Sequence, residues 1–365
     1  KVDQYRLREI KKRLDSGHAT AKDFEAAFNE CFDDCVELCS DYIGNTVTQK
    51  FAERCSAPLK LKLVKRVAPH LAAIGVHKNG TWSVQKIIDS AKAEPELVEI
   101  TRALKPYTPP LLLDQFGNYV VQCCLRLGPK FNQFIFDAMF VKCWDIAQGR
   151  FGARAMRTCL ESQHTIRNQK VRMEQLRRTW EVVARTKLVA IAIVENALQL
   201  ATNANGSILL TWLLDTSQLP GRYLLSAARF AKHLSTLSTH KLASLTVLKI
   251  INQRQELGAR RLLLGRLFGA SRASSSLLDE VLSDHAHGVG LVQKCLASQV
   301  MDDAEQVVIA DRVCQALIRI RQDMVPGHTR LMEEVEAILG DPVKVANAKA
   351  ADPVSVEYLY MESKQ

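Results

Sequence analysis

The stretch that decides the fold is residues 114–125, which read DQFGNYVVQCCL. Its Phe-Gly pair suggests a turn, and the residues after the turn follow a helical pattern whose apolar members can face a core. Asn118 and Gln122 are four residues apart and so share one helix face, beside the flat ring of Tyr119. Two amides and a ring on one exposed face can bind a nucleic-acid base, because the amides read its Watson–Crick edge while the ring stacks on it.

The same pattern recurs along the chain. The seven copies have their first reading position at Asn45, Thr81, Asn118, Ala153, Ser207, Ser244 and Val289. The intervals between these positions are 36, 37, 35, 54, 37 and 45 residues. A period near 36 in most steps predicts an array of stacked helical repeats.

The period and the motif (glycine, edge residue, stacking residue, two apolar residues, edge residue) resemble the Pumilio homology (PUF) family of RNA-binding proteins. The resemblance covers about residues 40–300 and is most specific at 45–49, 81–85 and 118–122. It is similar to divergent fungal members with fewer recognisable repeats. It implies an all-α fold, a curved right-handed superhelical solenoid of Pumilio-type repeats with RNA on its concave face.

The resemblance also implies that each repeat reads one base with two edge residues and a stacking residue. The predicted base-edge residues are Asn45, Gln49, Thr81, Gln85, Asn118, Gln122, Arg157, Ser207 and Gln293. The predicted stacking residues are Trp82, Tyr119 and Arg154. Arg157 suits a phosphate as well as a base, and the repeats after residue 200 are interpreted mainly as scaffold.

The family's pairings translate into an RNA sequence. An Asn–Gln pair resembles a uracil reader, and the Thr81–Gln85 pair resembles an adenine reader. The RNA is expected to run antiparallel to the chain, with its 5′ end toward the C-terminal repeats. The predicted core is therefore 5′-UAU-3′ or a UAAU-like element, and Thr46 stands where a stacking aromatic is expected.

Composition agrees with a helical, anion-binding protein. The chain has 365 residues, 47% of them hydrophobic and 6% aromatic, with a net charge of +10. Such a charge favours an anionic partner, either RNA or a membrane surface. The ten cysteines fall mostly in apolar runs and are interpreted as reduced core residues of an intracellular protein. No apolar run is long enough for a transmembrane helix, and a first residue other than Met leads us to expect a piece of a longer protein.

The predicted organisation is one Pumilio-type repeat domain over residues 1–340 and a C-terminal tail over 341–365. A capping helix is expected at about 20–40, where Cys31, Cys35 and Cys39 suit packing better than a zinc site. Residues 1–13 carry six basic and two acidic side chains, typical of a solvated helix face or a phosphate contact. A basic insertion at about 161–190 is open to three interpretations: a solvated face, an RNA backbone contact or a self-association surface.

The motifs of common enzyme classes are missing from the sequence: it holds no phosphate-binding P-loop, no HExxH and no GxSxG. We therefore expect no catalytic activity, no cofactor and no metal. The predicted function is sequence-specific binding of single-stranded mRNA at a U/A-rich element of the 3′ untranslated region, in the cytoplasm, to control translation or decay. Homodimerisation or tandem binding and recruited mRNA-decay or translation-repression factors are further expectations. The alternative is an armadillo- or HEAT-like protein-interaction scaffold without base readout.

Overall fold

The computed structural model describes residues 3–165, 176–269, 277–320 and 325–361. All regular secondary structure in these ranges is helical, and none of these helices is both long and apolar enough to cross a bilayer. The chain divides into two compact units, Lys1–Ala192 and Ile193–Gln365. That residues 1–340 form one repeat domain stays a prediction.

The helices of the first unit follow one another with short turns. They are α1 (Gln4–Asp15), α2 (Ala21–Cys31), α3 (Cys35–Leu38), α4 (Gly44–Arg54), α5 (Ala57–Val67), α6 (Leu71–Gly75), α7 (Gly80–Ser90), α8 (Glu94–Leu104), α9 (Thr108–Leu113), α10 (Gly117–Cys123), α11 (Pro129–Val141), α12 (Cys143–Ala147), α13 (Arg150–Glu161) and α14 (Leu176–Glu195), in which the boundary between the units falls.

The second unit continues the same succession. Its helices are α15 (Ala197–Thr202), α16 (Ser207–Thr211), α17 (Arg222–Ala231), α18 (Leu234–Ser238), α19 (Ala243–Ile251), α20 (Leu257–Phe268), α21 (Leu277–Ser283), α22 (Gly288–Leu296), α23 (Asp303–Arg319), α24 (Pro326–Gly340), α25 (Pro342–Ala350) and a final 3-10 helix (Pro353–Leu359).

One pattern organises both units: a short helix leads into a helix that carries a predicted reading position, and a longer helix follows. We call the seven helices with a reading position, α4, α7, α10, α13, α16, α19 and α22, the reader helices. Each begins at, or within a few residues before, its predicted first reading position. In α7, Val84, Ile87 and Ile88 are buried, and burying such a side chain contributes roughly 1.5–3 kcal/mol.

Prolines lie at the start of two longer helices of the first unit and just after their ends. Pro58 and Pro95 lie in the first turns of α5 and α8, where a missing backbone N–H costs nothing. Pro69 and Pro106 follow the same two helices and sit in short 3-10 turns. The chain therefore turns toward the next short helix at a defined residue.

Glycine before the reading position is explained by a close approach of backbones. A Cβ at Gly117 would lie 2.9 Å from the carbonyl oxygen of Leu111, and one at Gly152 would lie 2.0 Å from that of Ile146. Each of these carbonyls belongs to the short helix that precedes the reader helix. The motif's glycine thus lets the two helices pack in contact.

The structure bears on three expectations: the capping segment, the C-terminal tail and the basic insertion. The capping segment at 20–40 is two helices, α2 and α3, separated by a turn at residues 32–34. The segment expected to be a tail contains α25 and the 3-10 helix, and Leu359 is fully buried. The sequence does not predict these helices, because the apolar residues of the segment are too few to show a periodic face. Within the predicted basic insertion, residues 166–175 lie outside the described residues.

Candidate nucleic-acid interface

A side-chain acceptor closes the turn before six of the reader helices: α4, α7, α10, α16, α19 and α22. Asp114 Oδ1 accepts hydrogen bonds from the backbone N–H groups of Phe116 and Gly117, at 2.8 and 2.7 Å. The equivalent acceptors are Asp41 and His77 in the first unit and Asn203, His240 and Asp284 in the second. These bonds satisfy N–H groups that a helix start leaves without partners, so the acceptors set where these six reader helices begin.

The carboxyl group of Asp41 illustrates the electrostatics of these turns. Burial by itself would raise its pKa, but the hydrogen bonds from the N–H groups of Gly44 and Ile43 outweigh that effect and hold the pKa below its usual range. Asp41 therefore stays ionised at neutral pH and keeps accepting both bonds.

In α10 the two predicted edge residues form a small ladder. Asn118 donates from Nδ2 to the carbonyl oxygens of Asp114 and Gln115, at 2.8 and 3.1 Å. Its Oδ1 accepts a 2.9 Å bond from Gln122 Nε2. Asn118 is only 6% exposed, whereas Gln122 is half-buried. The expectation that both amides are exposed is therefore not met: Gln122 is only partly exposed, and the backbone of the turn draws the Asn118 amide inward.

The first reader helix, α4, repeats this arrangement. Asn45 Nδ2 donates to the carbonyl oxygens of Asp41 and Tyr42, both at 2.8 Å, and Gln49 Nε2 donates to Asn45 Oδ1 at 3.0 Å. The buried asparagine thus orients the glutamine amide in both helices. An oriented amide offers one donor and one acceptor, which can pair with the N3–H and a carbonyl oxygen of uracil.

The second reader helix, α7, differs in its hydrogen bonding. Gln85 Nε2 donates to Thr81 Oγ1 at 2.9 Å, and the thiol of Cys123 on α10 lies 3.8 Å from Gln85 Oε1. Thr81 is buried and its hydroxyl also reaches the carbonyl oxygen of Phe116 at 3.4 Å. Gln85 is therefore held at both ends of its amide.

The two aromatic residues predicted to stack in the first unit are exposed. Trp82 is 61% exposed and Tyr119 is 53% exposed. Large exposed aromatic rings next to oriented amides are unusual for a surface with only a structural role. Ring faces of this kind suit base stacking, which is worth about 1–3 kcal/mol per base.

The helices α4, α7 and α10 pack side by side, which brings their reading positions together. Ser83 Oγ donates to the carbonyl oxygens of Cys39 and Asn45, at 3.0 and 3.3 Å. Between α7 and the 3-10 helix Cys124–Leu127 that follows α10, Asp89 Oδ1 and Arg126 Nη1 form an ion pair at 3.0 Å. Three consecutive repeats of the first unit therefore present a continuous row of amides and rings.

The fourth reader helix, α13, offers a different surface. Arg154 is exposed, as stacking requires, while Ala153 is buried. Arg157 forms an i, i+4 ion pair with Glu161, with 2.9 Å between Nε and Oε1. A base or phosphate would have to compete with this carboxylate for Arg157.

The reader helices of the second unit turn their polar groups inward or sideways. Ser207 Oγ donates to the carbonyl oxygen of Ala204 at 3.3 Å, and Ser244 Oγ to that of Lys241 at 3.4 Å. Gln293 Nε2 bonds to Glu334 Oε1 at 2.8 Å. Leu245 occupies the stacking position of α19 and is 56% exposed.

The cysteines behave as packing residues. Cys31, Cys35 and Cys39 are buried, as the packing interpretation predicts. Burial raises the pKa of the Cys31 thiol to about 12 and that of Cys35 to about 11. Thiols in this state are protonated at neutral pH and are poor metal ligands. The described ranges contain no cluster of three potential metal ligands.

The spacing of the Asn/Gln pairs does not predict the side-chain acceptors of the turns, although these acceptors carry a sequence signal of their own. An Asp, His or Asn stands three residues before a glycine or alanine at or next to the helix start in five repeats, and four before it in the last. A recurring short polar residue at a fixed offset before a helix is typical of a capping turn. Searching for that offset together with the Asn/Gln pairs would have found it.

Comparison with known proteins supports the resemblance to the Pumilio family that the sequence motifs indicate. The sequence profile described as PUF, Pumilio-family RNA binding repeat, matches residues 34–68, 70–96 and 110–139. A Pumilio domain-containing protein of Schizosaccharomyces pombe is 44% identical over 330 residues, which is 90% of this chain and 47% of the relative. The mRNA-binding protein PUF2 of Saccharomyces cerevisiae is 34% identical, over 91% of this chain and 30% of the relative. The chain thus spans about half or less of the length of these relatives.

A solved structure extends the comparison to the fold. The crystal structure of the PUM-HD domain of S. pombe Puf1 in complex with RNA superposes with a TM-score of 0.77 at 43% identity, covering 91% of this chain and 84% of that one. The predicted all-α fold of Pumilio-type repeats is confirmed, and the chain belongs to the Pumilio (PUF) family of RNA-binding repeat proteins.

Proposed function

We propose that this chain binds single-stranded mRNA at a U/A-rich element of the 3′ untranslated region and so controls translation or decay of the message in the cytoplasm. The observation that carries the proposal is the row of oriented amides and exposed rings on α4, α7 and α10. The complex of the related S. pombe domain with RNA supports an RNA partner. Tandem elements or a homodimer would add avidity to the few repeats that read bases.

The proposed core is 5′-UAU-3′ or a UAAU-like element. Gln122 and Gln49 pair with the two uracils, each oriented by its asparagine, and Gln85 pairs with the adenine beside Thr81. Tyr119 and Trp82 stack against the bases. Arg154 stacks at the fourth repeat, and Arg157, Ser207 and Gln293 contribute less because each is engaged within the protein.

A fluorescence-anisotropy titration at near-physiological salt tests the proposal. It compares a UAU-bearing RNA, the same RNA with the core changed to cytidines, and the matching DNA. We expect the U/A-bearing RNA to bind at least about tenfold more tightly, or about 1.4 kcal/mol. Equal binding of all three, lost as salt is raised, would favour a scaffold without base readout.

Two variants test whether Gln122 contributes to binding of the UAU-bearing RNA. Gln122→Ala should weaken binding of the UAU-bearing RNA, because the amide that pairs with the first uracil is gone. Gln133→Ala is the matched control, since Gln133 lies on α11 and bonds to Asp137 on the same helix. If Gln122→Ala is folded and binds like Gln133→Ala, the assigned role of Gln122 is wrong.

A further inference from the structure

The N-terminal helix α1 lies beside the first reader helix in the manner of another reader helix. Its apolar face, Leu7, Ile10 and Leu14, is buried. At its start, Gln4 Nε2 donates to Asp41 Oδ2 at 2.7 Å. At its end, Lys50 Nζ on α4 lies 2.5 Å from Asp15 Oδ1. The partners of Gln4 and Asp15 follow in the same order along the chain, which shows that α1 runs parallel to α4.

The buried side chains of α1 show which of its faces corresponds to the reading face. Leu7, Ile10 and Leu14 are buried, with spacings of three and four residues. On α7 two sets of residues are buried with the same spacings: Gly80, Ser83 and Ile87, and Thr81, Val84 and Ile88.

Either alignment brings Arg8, the residue after Leu7, to a reading position of α7, at Thr81 or at the stacking residue Trp82. Arg8 and Lys12 are both exposed and share a helix face, because they are four residues apart.

Most basic side chains of α1 are already paired. Arg6 binds Glu9 and Glu30, Lys11 binds Asp15, and Arg13 binds Asp23. Within residues 3–165 no carboxylate lies at ion-pair distance from Arg8 or Lys12. The two cations thus remain available on the side of α1 that corresponds to the reading positions.

We propose that Arg8 and Lys12 form a phosphate clamp for the RNA backbone just beyond the base read by α4. This inference rests on the proposed function, and the antiparallel direction of the RNA places the clamp on the 3′ side of the core. Arginine and lysine bind phosphate oxygens through charge-assisted hydrogen bonds. The clamp holds the backbone and is indifferent to the base.

The test uses the whole chain and two lengths of RNA: the UAU core ending at its last base, and the same core with a short 3′ tail of either cytidines or adenosines. The tail should raise the affinity of the wild-type protein by about tenfold, the effect of one good charge-assisted hydrogen bond. The gain should be the same for both tails, and it should vanish in the double variant Arg8→Ala/Lys12→Ala, which still binds the short RNA like wild type.

A matched control and a salt titration sharpen the result. Lys22→Ala/Lys65→Ala removes two exposed cations from α2 and α5 and should keep the gain from the tail. For the tailed RNA, the slope of log affinity against log salt should fall by about 1.4 in the Arg8/Lys12 variant, at about 0.7 per phosphate contact on a single strand.

The outcomes separate this inference from the proposed function. If wild type prefers UAU but gains nothing from the tail, or if the Arg8/Lys12 variant keeps the gain, the clamp is overturned and base readout stands. If wild type fails to distinguish UAU from the cytidine-substituted core, the proposed function itself has failed, and the clamp with it.

Discussion

The reader helices of the first and second units share a scaffold and differ in the surface they present. In both units a side-chain acceptor closes the turn, as Asp114 does before α10 and Asp284 before α22. In the first unit the residues that follow include the exposed rings of Trp82 and Tyr119. In the second unit the same positions hold Ile208, Leu245 and Gly290.

This difference indicates that a repeat can keep the residues that stabilise its fold without keeping those that could contact a base. The turn and the apolar face stabilise the stack and are kept in both units. The stacking positions are at least partly exposed, so they can change without loss of the fold. A repeat with a good turn but neither an oriented amide nor a stacking side chain is therefore expected to be scaffold, whatever its spacing.

The largest expected effect is on the stability of the second unit, which contains a buried ion pair. Arg260 on α20 binds Glu305 on α23 through two bonds of 2.6 and 2.5 Å, and the hydroxyl of Tyr358 donates to Glu305 at 2.6 Å. Glu305→Gln should cost about 3–5 kcal/mol, because it leaves the Arg260 charge buried and unpaired.

Hydrogen–deuterium exchange locates that loss. Faster exchange should be confined to α20, α23 and the C-terminal 3-10 helix, and anisotropy should find UAU binding by the first unit retained below the melting transition. A variant as stable as wild type would show that this ion pair contributes little.

Acid should weaken the same pair. Burial by itself would raise the pKa of Glu305, but the hydrogen bonds from Arg260 and Tyr358 outweigh it and hold the pKa below its ordinary value. A carboxyl group with a lowered pKa adds stability that is complete above the unfolded pKa and is lost as pH falls through the folded one. Melting temperatures between about pH 6 and pH 3 should therefore fall more steeply in wild type than in Glu305→Gln, whose amide does not titrate. Parallel curves would contradict this.

A smaller effect concerns RNA affinity. Tyr119→Ala should weaken binding of the UAU-bearing RNA by about 1–3 kcal/mol, because a stacking ring is lost. Leu245→Ala, at the equivalent position of α19, should change affinity by less than about 0.5 kcal/mol. Both side chains are about half exposed, so neither change should unfold the protein. Equal losses in anisotropy titrations would show that both units read bases.

The smallest effect should be shared by the two units. Asp114→Ala and Asp284→Ala each remove the acceptor of a turn and should lower stability by about 1 kcal/mol, as loss of a helix cap does. Chemical denaturation measures the change. Only Asp114→Ala should also reduce RNA affinity, since α10 carries Asn118 and Gln122. A loss of affinity in both variants would undo the distinction between scaffold and reader.

Some features of the site could be predicted because they depend on neighbours within a few residues. The spacing of Asn118, Tyr119 and Gln122 predicts a shared helix face, and the period of the repeated motif predicts the seven reader helices. Other features depend on contacts that spacing does not encode. Asn118 is buried because backbone carbonyls draw in its amide, and Arg157 is held by Glu161.

By itself the sequence determined the helical class, the repeat and the positions of the exposed rings. These properties follow from side-chain periodicity, which acts over one or two helical turns. Only the tertiary structure decided that α1 lies beside α4 with Arg8 and Lys12 exposed, and that Tyr358 reaches the Arg260–Glu305 pair. Those contacts join residues tens of positions apart, and they form only when stacked helices bring such residues within bonding distance.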